Sequence, residues 1–171
     1  ALLTNTSGTD NTAIGYNTLY SNNSGGTYNT AVGAYAGQNI TSGDHNTAVG
    51  YNALASYTSG PYSTAMGSAA LQNTTGSNNT AMGYQAGYNL STGIENTLMG
   101  YGAGSNQGVG SYNTGIGRSA LRSTVGNLNL ALGFQAGYDL TSGQQNILIG
   151  STNTTGGNRI TTGSNNISIG F

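Results

Sequence analysis

A five-residue pattern of alternating polar and apolar positions recurs along this chain about every 17 residues. Its first position is asparagine in nine of ten copies, and its fifth is always glycine. The copies occupy residues 11–15, 29–33, 46–50, 63–67, 79–83, 96–100, 113–117, 129–133, 146–150 and 166–170. Short alternating segments bounded by glycine are typical of β-strands. Because units this short cannot form separate cores, the pattern predicts coils that stack on one another.

The fourth position of the pattern is apolar in every copy, and we therefore expect it to point into the coil. The second position lies on the same face of the strand, and it changes from threonine to aliphatic residues in the last three copies. That change supports the same inward direction. The predicted coil core comprises Ile14, Val32, Val49, Met66, Met82, Met99, Ile116, Leu132, Ile149 and Ile169.

The third position faces the other way and is mostly alanine. A freely solvated column would be expected to contain Lys, Glu and Gln, so small residues indicate that another backbone packs closely over it. A second layer of the same chain would explain this, but a neighbouring subunit explains it better. The predicted subunit interface comprises Ala13, Ala31, Ala48, Ala65, Ala81 and Ala131.

A second short segment follows each glycine and carries one larger aliphatic residue. This residue comes four positions after the glycine, as at Leu54, or three positions after a further glycine, as at Leu90. We interpret both as plugs of the same interior space. The recurring asparagines should form a side-chain ladder at the bend. Residues 29–50, 79–100 and 129–150 are versions of one another, which indicates a longer period of 50 residues.

Composition favours a fibrous β protein. The 171 residues include 30 glycines, one proline, no cysteine, three cationic side chains and four acidic ones. Arg118, Arg122 and Arg159 are too few to follow a nucleic-acid backbone, and no apolar run is long enough for membrane insertion. We therefore predict an all-β parallel β-solenoid of about ten coils in residues 11–171, preceded by a lead-in or cap in residues 1–10.

The repeated phrase Asn-Thr-Ala-Val-Gly-Tyr, with alanine two residues later, as in residues 46–53, points to a family. It resembles the head repeats of trimeric autotransporter adhesins and, more closely, similar repeats in bacteriophage tail fibres. The resemblance covers roughly residues 11–170. It implies a left-handed β-roll and a homotrimer whose small-residue column faces the axis. The chain departs from the adhesin repeats in its longer coils and its frequent threonine.

Catalytic and metal-binding groups are sparse. His45 is the only histidine, and we interpret it with Asp44 as a solvated turn pair. Asp10, Glu95 and Asp139 belong to different coils, so no pair of carboxylates is evident. No calcium-binding repeat of the Gly-Gly-x-Gly-x-Asp type occurs. The sequence predicts a protein that is not an enzyme and has no cofactor or metal.

One aromatic stripe recurs directly after the closing glycines. Aromatic faces can stack on sugars, but tyrosine also commonly packs its ring and leaves its hydroxyl in water. We favour a packing ladder and keep glycan contact as the alternative. The stripe comprises Tyr16, Tyr51, Tyr84, Tyr101 and Phe134.

These features predict a structural or adhesive fibre segment that is extracellular, on a cell surface or a virion. Its partners would be its own copies, with surface carbohydrate or a receptor as a further possibility. The alternative is a secreted filament subunit that polymerises through its open ends. Ice binding is a third class, because flat threonine-rich solenoid faces can order water. The inward direction assigned to Thr30 and Thr47 would hide that ladder.

Overall fold

The computed structural model describes residues 1–22, 24–106, 108, 110–151 and 160–170. Arg159 and Phe171 lie outside the described residues. In the described part of the chain, each copy of the repeat forms one three-residue strand and no helix occurs. The strands are β1 (Thr12–Ile14), β2 (Thr30–Val32), β3 (Thr47–Val49), β4 (Thr64–Met66), β5 (Thr80–Met82), β6 (Thr97–Met99), β7 (Thr114–Ile116), β8 (Leu130–Leu132), β9 (Ile147–Ile149) and β10 (Ile167–Ile169).

All ten strands form one parallel sheet in the order of the sequence. Equivalent positions lie side by side, so that Thr30, Ala31 and Val32 pair with Thr47, Ala48 and Val49. A parallel strand can be reached only after the chain has gone around once, and here every neighbour is the next strand in sequence. The chain is therefore a β-solenoid of about nine turns, and the predicted all-β parallel solenoid is confirmed.

The interior of the solenoid contains two kinds of side chain. One is the middle residue of each inner strand, which is the third position of the five-residue pattern, and the other is the aliphatic plug of the second segment. From β2 to β9 the third-position side chains are buried, and those of Ala31, Ala65 and Ala81 are completely inaccessible. Both kinds of plug are fully buried, which confirms that they enter the interior. The buried plugs are Leu19, Ile40, Leu54, Leu71, Leu90, Leu121 and Leu140.

The predicted coil core is wrong, because the whole fourth-position column faces outward. Ile14 and Ile169 are 60% and 72% exposed. Their counterparts in the inner strands are exposed or half-buried, and none is buried. These counterparts are Val32, Val49, Met66, Met82, Met99, Ile116, Leu132, Ile149. The threonines two residues earlier are likewise exposed or half-buried, so their assignment to the interior is also wrong.

The narrow interior explains this reversal. A Cβ atom added to Gly37 would lie 2.9 Å from Leu19 Cδ2 and 3.0 Å from Ile40 Cδ1, so the plugs leave no room for even a methyl group. Valine or isoleucine from the strand would need more space than that, and close-packed interiors do not yield it cheaply. The inward strand position must therefore be small in most coils.

The predicted subunit interface is wrong for the same reason. The alanine column is buried in the interior of its own chain, together with the plugs, and so cannot face a neighbouring subunit. Ala13, in the first strand, is half-buried and packs against the same core. The remaining members are Ala31, Ala48, Ala65, Ala81 and Ala131, all buried.

Two exceptions show that the interior volume is conserved from turn to turn. In β6 the strand itself supplies a large side chain, Leu98, and the facing position of β7 is Gly115. A Cβ added to Gly115 would lie 3.3 Å from Leu98 Cδ2 and 3.5 Å from Leu121 Cβ. A Cβ added to Gly137, outside the strands, would lie 2.9 Å from Leu148 Cδ1. The strand leucine of β6 is thus matched by a glycine at the paired position of β7.

The predicted asparagine ladder is confirmed. Asn96 is buried, its Oδ1 accepts the N–H of Asn113 at 2.9 Å, and its Nδ2 donates to the carbonyl of Gly110 at 3.1 Å. The same pair of bonds links each asparagine to the next coil at most steps of the solenoid. The ladder bonds from one asparagine to the next start at Asn11, Asn29, Asn79, Asn96, Asn113, Asn129 and Asn146.

The ladder continues where serine replaces asparagine: the N–H of Ser63 donates to Asn46 Oδ1 at 2.8 Å, and Ser63 Oγ accepts the N–H of Asn79 at 3.3 Å. Ser63 is completely buried, and the hydroxyl of the buried Tyr57 lies 3.1 Å from its Oγ. Tyr57 is thus a second large buried residue of this coil beside the plug Leu54, and its hydroxyl fills part of the space that an asparagine amide occupies elsewhere. Burial raises the pKa of the Tyr57 phenol, against smaller lowering contributions from hydrogen bonds with Ser63 and Ser77.

The closing glycine of each copy is required by its backbone. Gly33 has a φ of 127°, and a Cβ there would lie 2.7 Å from the carbonyl oxygen of Gly50 in the next coil. An L-residue would be strained by this φ and would also push the coils apart. The glycine therefore allows the strand to end while the next coil stays within hydrogen-bonding distance.

The conserved interior volume predicts that Leu98 and Gly115 are energetically coupled. We expect Leu98→Ala to lower the free energy of unfolding by about 2–5 kcal/mol, because it leaves a cavity. Gly115→Ala should cost about 1–3 kcal/mol by crowding Leu98. In the double variant the added methyl group occupies the vacated space, so the combined loss should be smaller than the sum by at least about 0.5 kcal/mol.

Urea denaturation followed by far-ultraviolet circular dichroism measures these four free energies. Leu54→Ala combined with Gly115→Ala is the matched control, because Leu54 lies several coils away and its effect should simply add. Strict additivity of Leu98→Ala and Gly115→Ala would contradict the shared volume.

The asparagine ladder predicts that Asn96→Ala is strongly destabilising. It leaves the N–H of Asn113 and the carbonyl of Gly110 without these partners inside the coil. Each buried unsatisfied group costs about 1–3 kcal/mol, so the expected loss of unfolding free energy is about 2–5 kcal/mol. Asn89→Ala is the matched control. The Asn89 side chain is exposed and accepts a hydrogen bond from the Asn73 side chain, so its loss should change stability by less than about 0.5 kcal/mol. Equal losses in thermal denaturation would count against a special role of the ladder.

Candidate interaction surfaces

The second and fourth positions of the five-residue pattern are the first and last residues of each strand. In the ten strands they form one outward-facing surface, which we call the strand face. The register brings threonine next to threonine and aliphatic next to aliphatic from coil to coil, as at Thr64, Met66, Thr80 and Met82. The strand face is therefore two straight columns that run the length of the solenoid. No strand contains a charged residue.

The strand face becomes more apolar toward its C-terminal end. In β1 to β7 threonine alternates with an aliphatic residue, whereas in β8, β9 and β10 both outward positions are leucine or isoleucine. Ile147 and Ile149 are 36% and 37% exposed, and Ile167 and Ile169 are each 72% exposed. Contiguous apolar surfaces of this kind are often interaction sites, which makes this end of the strand face a candidate.

The predicted aromatic stripe lies on the outside of the coils, next to the strand face. Tyr84 and Tyr101 stack with ring centroids 5.1 Å apart and an interplanar angle of 24°. Tyr16 and Tyr51 do not contact each other directly, because Tyr35 lies between them edge-on to both, at 5.4 and 5.9 Å. All five predicted members are between 45% and 66% exposed: Tyr16, Tyr51, Tyr84, Tyr101 and Phe134.

Sequence reasoning missed two members of this stripe. Tyr35 stands one position later in its coil than the other tyrosines. Arg118 occupies the same position as Tyr101 and Phe134, directly after a closing glycine, and its Cζ lies 5.6 Å from the centroid of each ring. The position after the glycine was the signal for Arg118, but only aromatic residues were considered there.

A second aromatic group, also missed from the sequence, involves the only histidine. His45 lies between Tyr28 and Tyr62, with centroid distances of 4.8 and 5.3 Å and interplanar angles of 30° and 33°. Asp44 accepts hydrogen bonds from the backbone N–H and the hydroxyl of Thr27, at 2.7 and 2.9 Å. His45 is thus exposed but packed at a tilt between two tyrosine rings, and Asp44 links two coils. The sequence signal was that Tyr28, His45 and Tyr62 each directly precede the first residue of the five-residue pattern in successive coils.

The described residues contain no group of three or more His, Asp or Glu side chains that could hold a metal ion. They also include no helix of the length and apolar character needed to cross a bilayer. The chain matches no family model, no curated protein and no solved structure. The strand face and the aromatic stripe are accordingly the features from which a function can be argued.

Proposed function

We propose that this chain is a non-enzymatic segment of a structural or adhesive fibre, extracellular, on a cell surface or a virion. In this proposal the solenoid, wound left-handed, is a homotrimer, and the strand face of each copy packs toward the common axis. The observation that supports it is the uncharged, largely apolar strand face that runs along all ten strands.

A second copy of the chain fits the strand face better than an unrelated partner does. The columns present one side chain per coil, at the inter-strand spacing of roughly 4.8 Å. A partner matches every position only if it has the same spacing, and another copy has it by construction. Closed cyclic assemblies are the usual outcome of self-association. The small-residue column cannot lie on the axis in this arrangement, since it is buried within each coil.

The aromatic stripe supplies the adhesive part of the proposal. It follows the closing glycines and so lies outside the strand face, where an oligomer formed through that face leaves it accessible. Exposed tyrosine rings offer apolar surface together with a hydroxyl group, a combination that suits surface carbohydrate or a protein receptor. The rings concerned are Tyr16, Tyr51, Tyr84, Tyr101 and Phe134.

Lysine substitutions on the two faces of the strand test this proposal. Met66 and Met82 are 41% and 37% exposed, so Met66→Lys with Met82→Lys should leave each solenoid folded and dissociate the trimer. Ala65→Lys should instead unfold neighbouring coils, because it places a charge in the interior. Sedimentation equilibrium measures the mass, and circular dichroism measures the fold.

The matched control places the same two charges on turns, in Ser59→Lys with Thr75→Lys, and should keep the mass of a trimer. A wild-type chain that sediments as a monomer would refute the oligomer, and a trimer unchanged by the two methionine substitutions would refute its placement on the strand face. Indefinite fibres in negative-stain images would support the filament alternative. End-to-end stacking of solenoids would then explain them, since unpaired strand edges can pair with another chain.

Ice binding is a second candidate, because the predicted inward direction of the threonines, which argued against it, is wrong. Thr30 is exposed and Thr47 is half-exposed, and seven strands in a row present threonine on a straight parallel ladder. The trimer proposal predicts no thermal hysteresis, because the strand face is covered. Hysteresis that is lost on Thr64→Lys, with the circular dichroism spectrum unchanged, would favour ice binding over self-association.

A further inference from the structure

One arginine of this chain is held between two aromatic rings. The guanidinium carbon of Arg118 lies 5.6 Å from the ring centroid of Tyr101 and 5.6 Å from that of Phe134. The three residues come from three successive coils, and each directly follows a closing glycine. The site therefore shows that two rings separated by two coil steps accommodate one guanidinium group between them.

The same arrangement without the arginine occurs 50 residues earlier. Ser68 follows Tyr51 by 17 residues and precedes Tyr84 by 16, and the same two intervals separate Tyr101, Arg118 and Phe134. We call the space bounded by Tyr51, Ser68 and Tyr84 the ring gap. Because serine replaces arginine, no side chain of this column fills the space between the two rings.

The backbone is equivalent at the two places. The carbonyl of Tyr51 accepts the N–H of Ala69 at 2.8 Å, and that of Ser68 accepts the N–H of Gln85 at 2.9 Å. At the filled site both equivalent bonds measure 2.8 Å, and they join Ser119 to Tyr101 and Gln135 to Arg118. The closing glycines before the central residues also match, with φ values of 135° at Gly67 and 133° at Gly117. The two rings of the ring gap are thus mounted at the same two-coil separation.

The rings of the ring gap are available for a ligand. Tyr84 stacks on Tyr101 through one face, and it remains 45% exposed. Tyr51 contacts Tyr35 only edge-on, and it is 55% exposed. Neither ring therefore needs to break a stacked contact in order to accept a planar group between them.

We propose that the ring gap binds the guanidinium group of an arginine from a partner protein. A planar cation suits a site between two aromatic rings, because each ring carries negative potential on its face. Arginine is preferred over lysine for this, since the guanidinium is flat and weakly hydrated. The two arginines in the described part of the chain already lie over aromatic rings, Arg118 as above and Arg122 over Tyr138 at 5.4 Å. This inference does not depend on the proposed oligomer.

The test uses N-acetyl-L-arginine amide as the probe and follows the tyrosine ring resonances of the full chain by NMR. The wild-type protein should bind one probe per chain, with a dissociation constant in the millimolar range expected of two partly exposed cation–π contacts. Ser68→Arg should abolish this binding, because it fills the ring gap from within. Arg118→Ser should raise the stoichiometry to two, because it empties the equivalent site.

Matched ligands and a second readout make the test specific. N-acetyl-L-citrulline amide has the same shape without the charge, and it should bind at least about tenfold more weakly. Ser68→Arg should also raise Tm by about 2–4 °C, whereas Ser68→Gln should not. Unchanged binding in Ser68→Arg, no second site in Arg118→Ser, equal binding of citrulline, or a preference for methyl glucoside over the arginine probe would each overturn the proposal.

Discussion

The structure depends on one steric constraint: the interior of each turn of the solenoid has room for few large side chains. In most coils these side chains come from the segment after the closing glycine, as at Leu54 and Leu71. The strand that faces them must then turn a small residue inward. Because side chains alternate along a strand, the aliphatic and threonine positions on either side of that alanine are forced outward. An apolar outer surface is thus a consequence of a narrow interior.

The asparagine ladder keeps successive turns in register while the interior holds them closed. Each buried amide bonds the backbone of the next coil through both of its polar atoms, as Asn113 does with Asn129 and Gly126. Constant register places equivalent side chains directly above one another on the outside. Columns of threonine, aliphatic residues and aromatic rings follow from this, and so do gaps such as the one at Ser68. The surfaces that we propose for self-association and for arginine binding both arise from that repetition.

The sequence pattern predicted much of this structure. The period identified the strands and their parallel order, and the plugs and the asparagine ladder were also identified correctly. Which face of each strand points inward was predicted wrongly, because a two-residue period defines two faces without saying which is inside. Hydrophobicity favoured the isoleucine and methionine column, whereas volume decides the matter. The leucine at position 98 beside glycine at position 115 was the signal, since a large residue compensated by a small one is expected only within a closed interior.

The aromatic contacts could be predicted only in part. Tyr84 and Tyr101 share a sequence position and stack, as expected. Tyr35 and His45 join their neighbours through contacts between coils, which depend on side-chain rotamers that no periodic pattern specifies. Charged residues were considered only as candidate chemistry, so the place of Arg118 between two rings was not anticipated.

The most direct test of the inward alanine column is methyl NOE spectroscopy on a sample that mixes isotope-labelled and unlabelled chains. The account predicts strong NOEs within one chain from the methyl groups of Ala48 and Ala65 to the leucine plugs Leu54 and Leu71. It also predicts that any NOEs between chains arise from the strand face, for example from Val49. NOEs within one chain from Val49 to the leucine plugs, together with NOEs between chains from Ala48, would contradict it.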